Sequence, residues 1–189
     1  MTLDASNFSD SDIKALAARL DRPVVLVGMM GVGKSTVGSK LATLLGLRFA
    51  DADDEIAEAA HMSIAEIFDR FGEDYFRDGE RRVIGRMMAE GPAVIATGGG
   101  AFVQDETREL ILAEGIAVWL DSDVDTLVER VSRKNTRPLL RGGDPREIIT
   151  RLKAEREPFY AQAPIHVASG SGPHGDTVHR ILQALQEWK

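Results

Sequence analysis

The sequence predicts an α/β protein whose parallel sheet is covered by helices on both faces, and three observations carry that prediction. Five short apolar runs, Val24 to Val27, Leu47 to Ala50, Ala93 to Ala96, Ile116 to Leu120 and Ile165 to Val167, alternate with helical patterns, the alternation from which parallel sheets are built. Residues 28–35 read Gly28-Met29-Met30-Gly31-Val32-Gly33-Lys34-Ser35, a complete G-x-x-x-x-G-K-S phosphate loop between the first apolar run and a helical stretch. Capping and breaking residues stand where the helices must start and stop.

Taken in order, Ser11 to Leu20 reads as a short helix with Ile13, Leu16, Ala17 and Leu20 on one face, an accessory extension packed on the outside. Pro23-Val24-Val25-Leu26-Val27 is short, apolar and β-branched, as a strand buried on both faces is. Beyond the loop, Val37, Leu41, Leu44 and Leu45 recur at helical spacing. Ser63-Ile64-Ala65-Glu66 is a capping box opening a helix through Phe71, Gly72 is placed to end it, and a further helix spans Glu73 to Glu90. Asp105 is placed to cap a helix to Glu114 and Asp123 another to Ser132; Asp144-Pro145 puts proline at the first position of a third, whose end Pro158 marks. The last helix begins near Asp176 with Val178, Ile181, Leu182 and Leu185 as its buried stripe, after a flexible loop at Ser169 to Pro173. Trp119 should pack along a strand and Trp188 along this helix.

A chain of 189 residues fits one domain with a sizeable core. No apolar run reaches bilayer length. A net charge of −7 argues against broad nucleic-acid binding, so an anionic ligand must be held by a local cluster of cations. The absence of cysteine excludes disulfides, thiolate catalysis and a Cys-ligated zinc site, which leaves an oxygen-bound metal. Met1 to Asp10 carries acids and no basic-then-apolar signal, so a cytoplasmic monomer without nucleic-acid or membrane partners is the expectation. His61, His166, His174 and His179 share no metal-ligand spacing and read as structural or surface residues.

The phosphate loop implies a bound nucleoside triphosphate. Gly28, Gly31 and Gly33 let successive backbone N–H groups curl around a polyphosphate, and the helix N-terminus adds partial positive charge. Lys34 should reach the β- and γ-phosphates and the Ser35 hydroxyl should ligate Mg2+, with Thr36 the weaker metal candidate. Phe49-Ala50-Asp51-Ala52-Asp53 closes the second strand, and in extended chain both aspartates project from one face. One carboxylate then serves Mg2+ and the other an acceptor hydroxyl; the alternative is an acidic helix start, the reading given to Asp54 and Glu55.

Arg77 and Glu80 share a helical face at i, i+3, although such a pair is usually a weak surface ion pair. Gly79 and Gly85 in the same helix hint at close packing or a nearby ligand. Thr97-Gly98-Gly99-Gly100 follows the third strand directly and suggests close approach of a ligand to backbone, a plain turn being the alternative. Arg130, Arg133, Lys134, Arg137 and Arg141 surround Pro138-Leu139-Leu140 and read as a mobile lid that brings cation over a transferring phosphoryl group and expels water. Arg133, Lys134 and Arg141 fit a solvated face, and Arg156 is unremarkable on its own.

Together the phosphate loop, F-x-D-x-D, F-R-x-x-E, G-G-G and R-P-L-L, in this order and spacing over residues 22 to 188, resemble the shikimate kinases. The resemblance implies a P-loop NTPase-like three-layer fold with strand order 2-3-1-4-5, a shikimate-binding helical segment at residues 51–90 and a lid at 133–144, leaving residues 1–21 as an extension. It implies transfer of the ATP γ-phosphoryl group to the 3-hydroxyl of shikimate with Mg2+. By position, Gly31, Val32, Gly33, Lys34, Ser35, Thr36, Arg130 and Arg137 would hold ATP, Arg130 stacking on adenine and Arg137 reaching the phosphates from the lid. Asp51 would support the metal with Ser35, and Thr97 would lie near a metal-bound water. Asp53 would hold the acceptor hydroxyls, Arg77 and Arg156 would grip the shikimate carboxylate, Glu80 would orient Arg77, and Gly98, Gly99 and Gly100 would wall the acceptor. Lys34, Asp53 and Arg137 would carry the chemistry. A gluconate-type kinase and an ATP-binding module that transfers nothing are the alternatives.

Overall fold

Val24, Val25, Leu26 and Val27 are fully buried because they form the central strand of the sheet. In the computed structural model, which describes residues 8–132 and 143–188, parallel strands β1 (Val24–Val27), β2 (Arg48–Asp51), β3 (Ala93–Ala96), β4 (Ile116–Asp121) and β5 (Ile165–Ala168) lie in the order β2-β3-β1-β4-β5. Register is set by Val25, which sits between Ile95 of β3 and Ala117 of β4. Both the parallel sheet and its order agree with expectation.

The described helices are α1 (Asp10–Arg19), α2 (Lys34–Leu45), α3 (Ala52–Ala60), α4 (Ile64–Ala89), α5 (Asp105–Glu114), α6 (Val124–Ser132), α7 (Pro145–Tyr160) and α8 (His174–Glu187). None is long and apolar enough to cross a membrane. At the end of α2, Gly46 adopts φ 64, its N–H bonds Thr43 O, and the Leu47 N–H bonds Ala42 O. This Schellman motif uses Leu47 to close the helix, so β2 begins one residue later than the apolar run suggests. Val37, Leu41 and Leu45 are buried as expected, whereas Leu44 is exposed.

Other differences also have local causes. Asp51 ends β2 and caps α3, its Oδ1 accepting the Asp53 N–H at 3.0 Å; the chain turns helical there, and Asp53 is not in extended backbone. The capping box at Ser63 and Glu66 is present, and Gly72 breaks α4 with φ 81 and ψ 176. A Cβ on Gly79 would meet nothing within 4 Å and one on Gly85 only Leu110 at 3.5 Å, so neither glycine is required by close packing. Gln104, not Asp105, stands at the N-cap of α5 and makes no side-chain capping bond; Asp105 lies in the first turn and binds Arg108 at 2.6 Å. Asp123 accepts from the Thr126 N–H at 2.8 Å, and Asp144 caps α7 ahead of Pro145. Pro158 does not end α7, which continues to Tyr160. In the last turn its missing N–H forfeits a single helical bond, and the Ala161 N–H still reaches Glu157 O.

The main core packs both sheet faces, while Ile56, Ile67 and Phe76 form a separate small core joining α3 to α4. That second core carries the segment from Asp53 to Glu80 as a unit at the carboxyl ends of β2 and β3. Trp119 is buried in β4 and stacks on His166 at 4.0 Å, and Trp188 packs at the end of α8. The extension is tied in as well. Arg19 donates from Nη2 to the carbonyls of Leu185, Gln186 and Trp188 at 2.8, 3.0 and 3.3 Å, satisfying the open C-terminal end of α8 with a cation. Arg19→Ala is expected to lower the free energy of unfolding by about 1 kcal/mol in urea titrations with an unchanged slope. A loss within the usual surface range of about 0.5 kcal/mol would show that this cap does not hold α8.

Candidate active site

The phosphate loop leaves the carboxyl end of β1 and runs into α2, with Gly28, Gly31 and Gly33 at φ 134, 81 and 102. Gly33 is the N-cap of α2 in left-handed backbone, a conformation that a side chain would strain. The Lys34 ammonium is largely buried and donates to the carbonyls of Gly28 and Met29 at 2.8 and 2.9 Å, which draws the loop around it. Val32 faces the core, and its carbonyl accepts from Arg130 Nη1 and Ser169 Oγ, both at 3.0 Å. The remaining loop residues named above, Gly31, Gly33, Lys34, Ser35 and Thr36, line a cavity of about 310 Å3.

Asp51, Asp53, Thr97, Gly98 and Gly99 line the same cavity, and so do Arg130 and His174. Both aspartates thus reach one site, by a different route from the extended strand expected: Asp51 is the cap and Asp53 lies in the first helical turn. Ser35 Oγ donates to Asp51 Oδ2 at 2.5 Å. A hydroxyl and a carboxylate oxygen so close, at the mouth of a phosphate loop, suit Mg2+, which takes few protein ligands and fills its shell with water and phosphate oxygens. Among the described residues no cluster of three or more His, Cys, Asp or Glu offers a cage made by protein alone. The Thr97 hydroxyl is donated to Leu26 O at 3.0 Å.

Arg77 and Glu80 are no surface pair. Glu80 is 0 % exposed, and its Oε2 accepts from Arg77 Nη1 at 2.7 Å while Glu73 accepts from Arg77 Nη2 at 3.1 Å. Burial pushes the Glu80 carboxyl above its ordinary range, the Arg77 and Arg156 cations pull it back, and the Asp53 carboxylate adds to the rise. For Arg77, burial works against the charge, but Glu80 and Glu73 outweigh it and hold the guanidinium above its usual value. Glu80 Oε1 and Arg156 Nη1 are both buried without a hydrogen-bond partner among the described residues. Buried groups of this kind are rare unless something else satisfies them.

The Gly98–Gly100 run explains how these charges fit. None of the three glycines has a positive φ; space is what demands them. A Cβ on Gly98 would stand 2.8 Å from Glu80 Oε1 and 2.9 Å from Asp53 Oδ1, one on Gly99 would stand 3.4 Å from Arg156 Nη1, and one on Gly100 would stand 2.4 Å from Arg77 Nη2. The close approach is therefore made first by the protein's own charged side chains. Asp53, Arg77, Glu80 and Arg156 converge on this one turn.

Two further residues escaped the sequence reading. Tyr160 donates its hydroxyl to Gly99 O at 2.5 Å, and burial pushes its pKa up to about 12. It lies one helical turn from Arg156 on α7, the i, i+4 spacing that could have signalled it. His174 also stands in the cavity, and no local pattern marks it. Arg130, expected at adenine, braces the phosphate loop against the loop before α8, donating to Val32 O at 3.0 Å and Gly170 O at 2.6 Å. Arg137 and the lid arginines around it lie outside the described residues.

A phosphate loop at the centre of a 2-3-1-4-5 parallel sheet, facing a cleft of carboxylates and guanidiniums, defines a P-loop kinase of small molecules. The chain belongs to the shikimate kinase family, whose model matches residues 30–186. A shikimate kinase from Novosphingobium aromaticivorans is 63% identical over 192 residues, covering 100% of both chains. One from Caulobacter vibrioides is 55% identical and covers 91% of this chain and 86% of its own. The solved shikimate kinase from Acinetobacter baumannii in complex with shikimate superposes with a TM-score of 0.87 at 35% identity, covering 96% of this chain and 99% of that one.

Gly100→Ala is expected to push the Arg77 guanidinium out of its place, breaking the Arg77–Glu80 geometry and lowering stability as well, because the buried Glu80 carboxylate loses its bonded cation. Acceptor affinity should fall about tenfold or more and nucleotide affinity should hold, measured by titrating each substrate separately. Unaltered acceptor affinity would contradict the packing described.

Proposed function

We propose that this chain transfers the γ-phosphoryl group of ATP to the 3-hydroxyl of shikimate, giving 3-phosphoshikimate and ADP, in the route to chorismate and the aromatic amino acids. The observation that carries the reading is the convergence of Asp53, Arg77, Glu80 and Arg156 on Gly98–Gly100, with Asp53, Gly98 and Gly99 lining the cavity that Lys34 also lines. Membership of the family and the likeness to a shikimate-bound relative support it.

Arg77 and Arg156 present planar donor forks suited to a carboxylate. Acceptor binding gives the orphaned Arg156 Nη1 its partner and offers Glu80 Oε1 a hydroxyl. Glu80 holds Arg77 in one orientation beforehand, so little ordering remains to be done on binding. Asp53 orients the attacking hydroxyl and accepts its proton, a light demand because a loose phosphoryl-transfer transition state needs little base strength. Lys34 lies at the loop end of the cavity, where its ammonium reaches the β- and γ-phosphates. Ser35 and Asp51 would hold Mg2+, which when bound neutralises charge on the phosphate oxygens.

With Mg-ATP the purified protein should form ADP in a coupled assay when shikimate is added and not when gluconate is added. No shikimate-dependent ADP would overturn the proposal. Asp53→Ala should lower kcat by about 10²-fold or more with ATP affinity nearly unchanged, and equal loss of both would misplace Asp53. Arg156→Ala should raise the shikimate KM by about 10- to 150-fold, equivalent to about 1.5–3 kcal/mol for charge-assisted bonds.

A further inference from the structure

Tyr160 is buried at the end of α7 and donates its hydroxyl to the Gly99 carbonyl at 2.5 Å, across 61 residues of chain. The same hydroxyl lies 3.9 Å from Met29 Sδ of the phosphate loop. Gly99 is where that loop, the glycine turn and Arg156 meet. The position of a Cβ there is 3.2 Å from Met30 N, 3.4 Å from Arg156 Nη1 and 3.7 Å from Gly28 O.

Three glycines in a row have wide backbone freedom and no side chains of their own to restrain them, so the turn must be held by its carbonyls. Two of these are taken locally: Gly98 O accepts from the Ala101 N–H and Gly100 O from the Val103 N–H, both at 3.2 Å. The middle one is taken by Tyr160 from another element. Burial pushes the Tyr160 pKa up to about 12, with the Arg156 and Arg77 cations pulling against that rise, so the hydroxyl keeps its proton at neutral pH and remains a donor. Tyr160 and Arg156 stand four residues apart on α7, which puts the phenol and the guanidinium side by side. The phenol therefore fixes the backbone that its helical neighbour packs against.

We infer that Tyr160 is a positioning residue for the acceptor, its bond to the Gly99 carbonyl holding the glycine turn at the spacing Arg156 needs to grip a carboxylate. The inference rests on the shikimate kinase reading of the site and adds a residue that acts through its neighbours. The phosphate loop has separate supports, from Lys34 to the Gly28 and Met29 carbonyls and from Arg130 and Ser169 to the Val32 carbonyl. Loss of the phenol hydroxyl is thus felt by the acceptor and not by the nucleotide.

Tyr160→Phe keeps the ring and removes the donor. The shikimate KM should rise about 3- to 10-fold with kcat within about twofold, the pattern of lost ground-state binding, and ATP affinity by calorimetric titration should stay within about twofold. The melting temperature also falls, because the Gly99 carbonyl loses its donor. Arg19→Ala, destabilised far from the site, serves as the control and should keep the wild-type shikimate KM. In an Arg156→Ala background the same Tyr160→Phe change should alter the shikimate KM by less than about twofold, since residues acting through one contact are not additive.

A wild-type shikimate KM in Tyr160→Phe would overturn the inference. So would parallel loss of shikimate and ATP affinity, or a fall in kcat at constant KM, either of which marks a residue that only maintains the fold. Full additivity with Arg156→Ala would overturn the route through Arg156. Absence of shikimate-dependent ADP formation by the wild-type protein would instead refute the reading of the site underneath.

Discussion

The buried ion pair of Arg77 and Glu80 is the constraint around which the Gly98–Gly100 turn and the charged groups beside it are arranged. A carboxylate with no exposed surface is stripped of water, and only nearby cations and good hydrogen-bond geometry offset that loss. Arg77 supplies the direct bond and Arg156 the second positive charge. Such a pair contributes little to stability relative to an apolar substitute. What it provides is a guanidinium held in one orientation before any ligand arrives. The demand for glycine at 98 and 100 follows, because both the carboxylate and the guanidinium occupy space where a Cβ would otherwise stand.

Asp51 joins α2 to the start of α3 through its two oxygens. One accepts the Ser35 hydroxyl beside the phosphate loop and the other caps α3 at the Asp53 N–H. The cap ends the strand and starts the helix, which fixes where Asp53 points. The contact between Ser35 and Asp51 and the placement of the Asp53 carboxylate are therefore set by one side chain, and the small core of Ile56, Ile67 and Phe76 keeps Asp53 and Arg77 on a common unit.

On the nucleotide side, the phosphate loop is braced from behind. The Val32 carbonyl accepts from Arg130 on α6 and from Ser169 beyond β5, and Arg130 continues to Gly170. The far end of α8 is closed by Arg19 of the N-terminal helix. A residue at the start of α8, such as His174, is thus carried on an element secured at both ends. This places it against the loop without any motif in its own neighbourhood.

Much of the architecture was legible from neighbours in the chain. The phosphate loop, the capping box at Ser63, the break at Gly72 and the caps at Asp123 and Asp144 are decided by residues a few positions apart, and the alternation of apolar runs predicted the parallel sheet. Where local signals competed, tertiary structure chose: Leu47 served the helix end instead of the strand, and Asp51 turned the chain before Asp53. The burial of Glu80, the space that requires Gly98 and Gly100, the Tyr160 bond to Gly99 and the His174 contact with the loop were not legible. Each depends on elements brought together across the sheet, and desolvation, steric exclusion and unsatisfied polar atoms exist only once those elements meet.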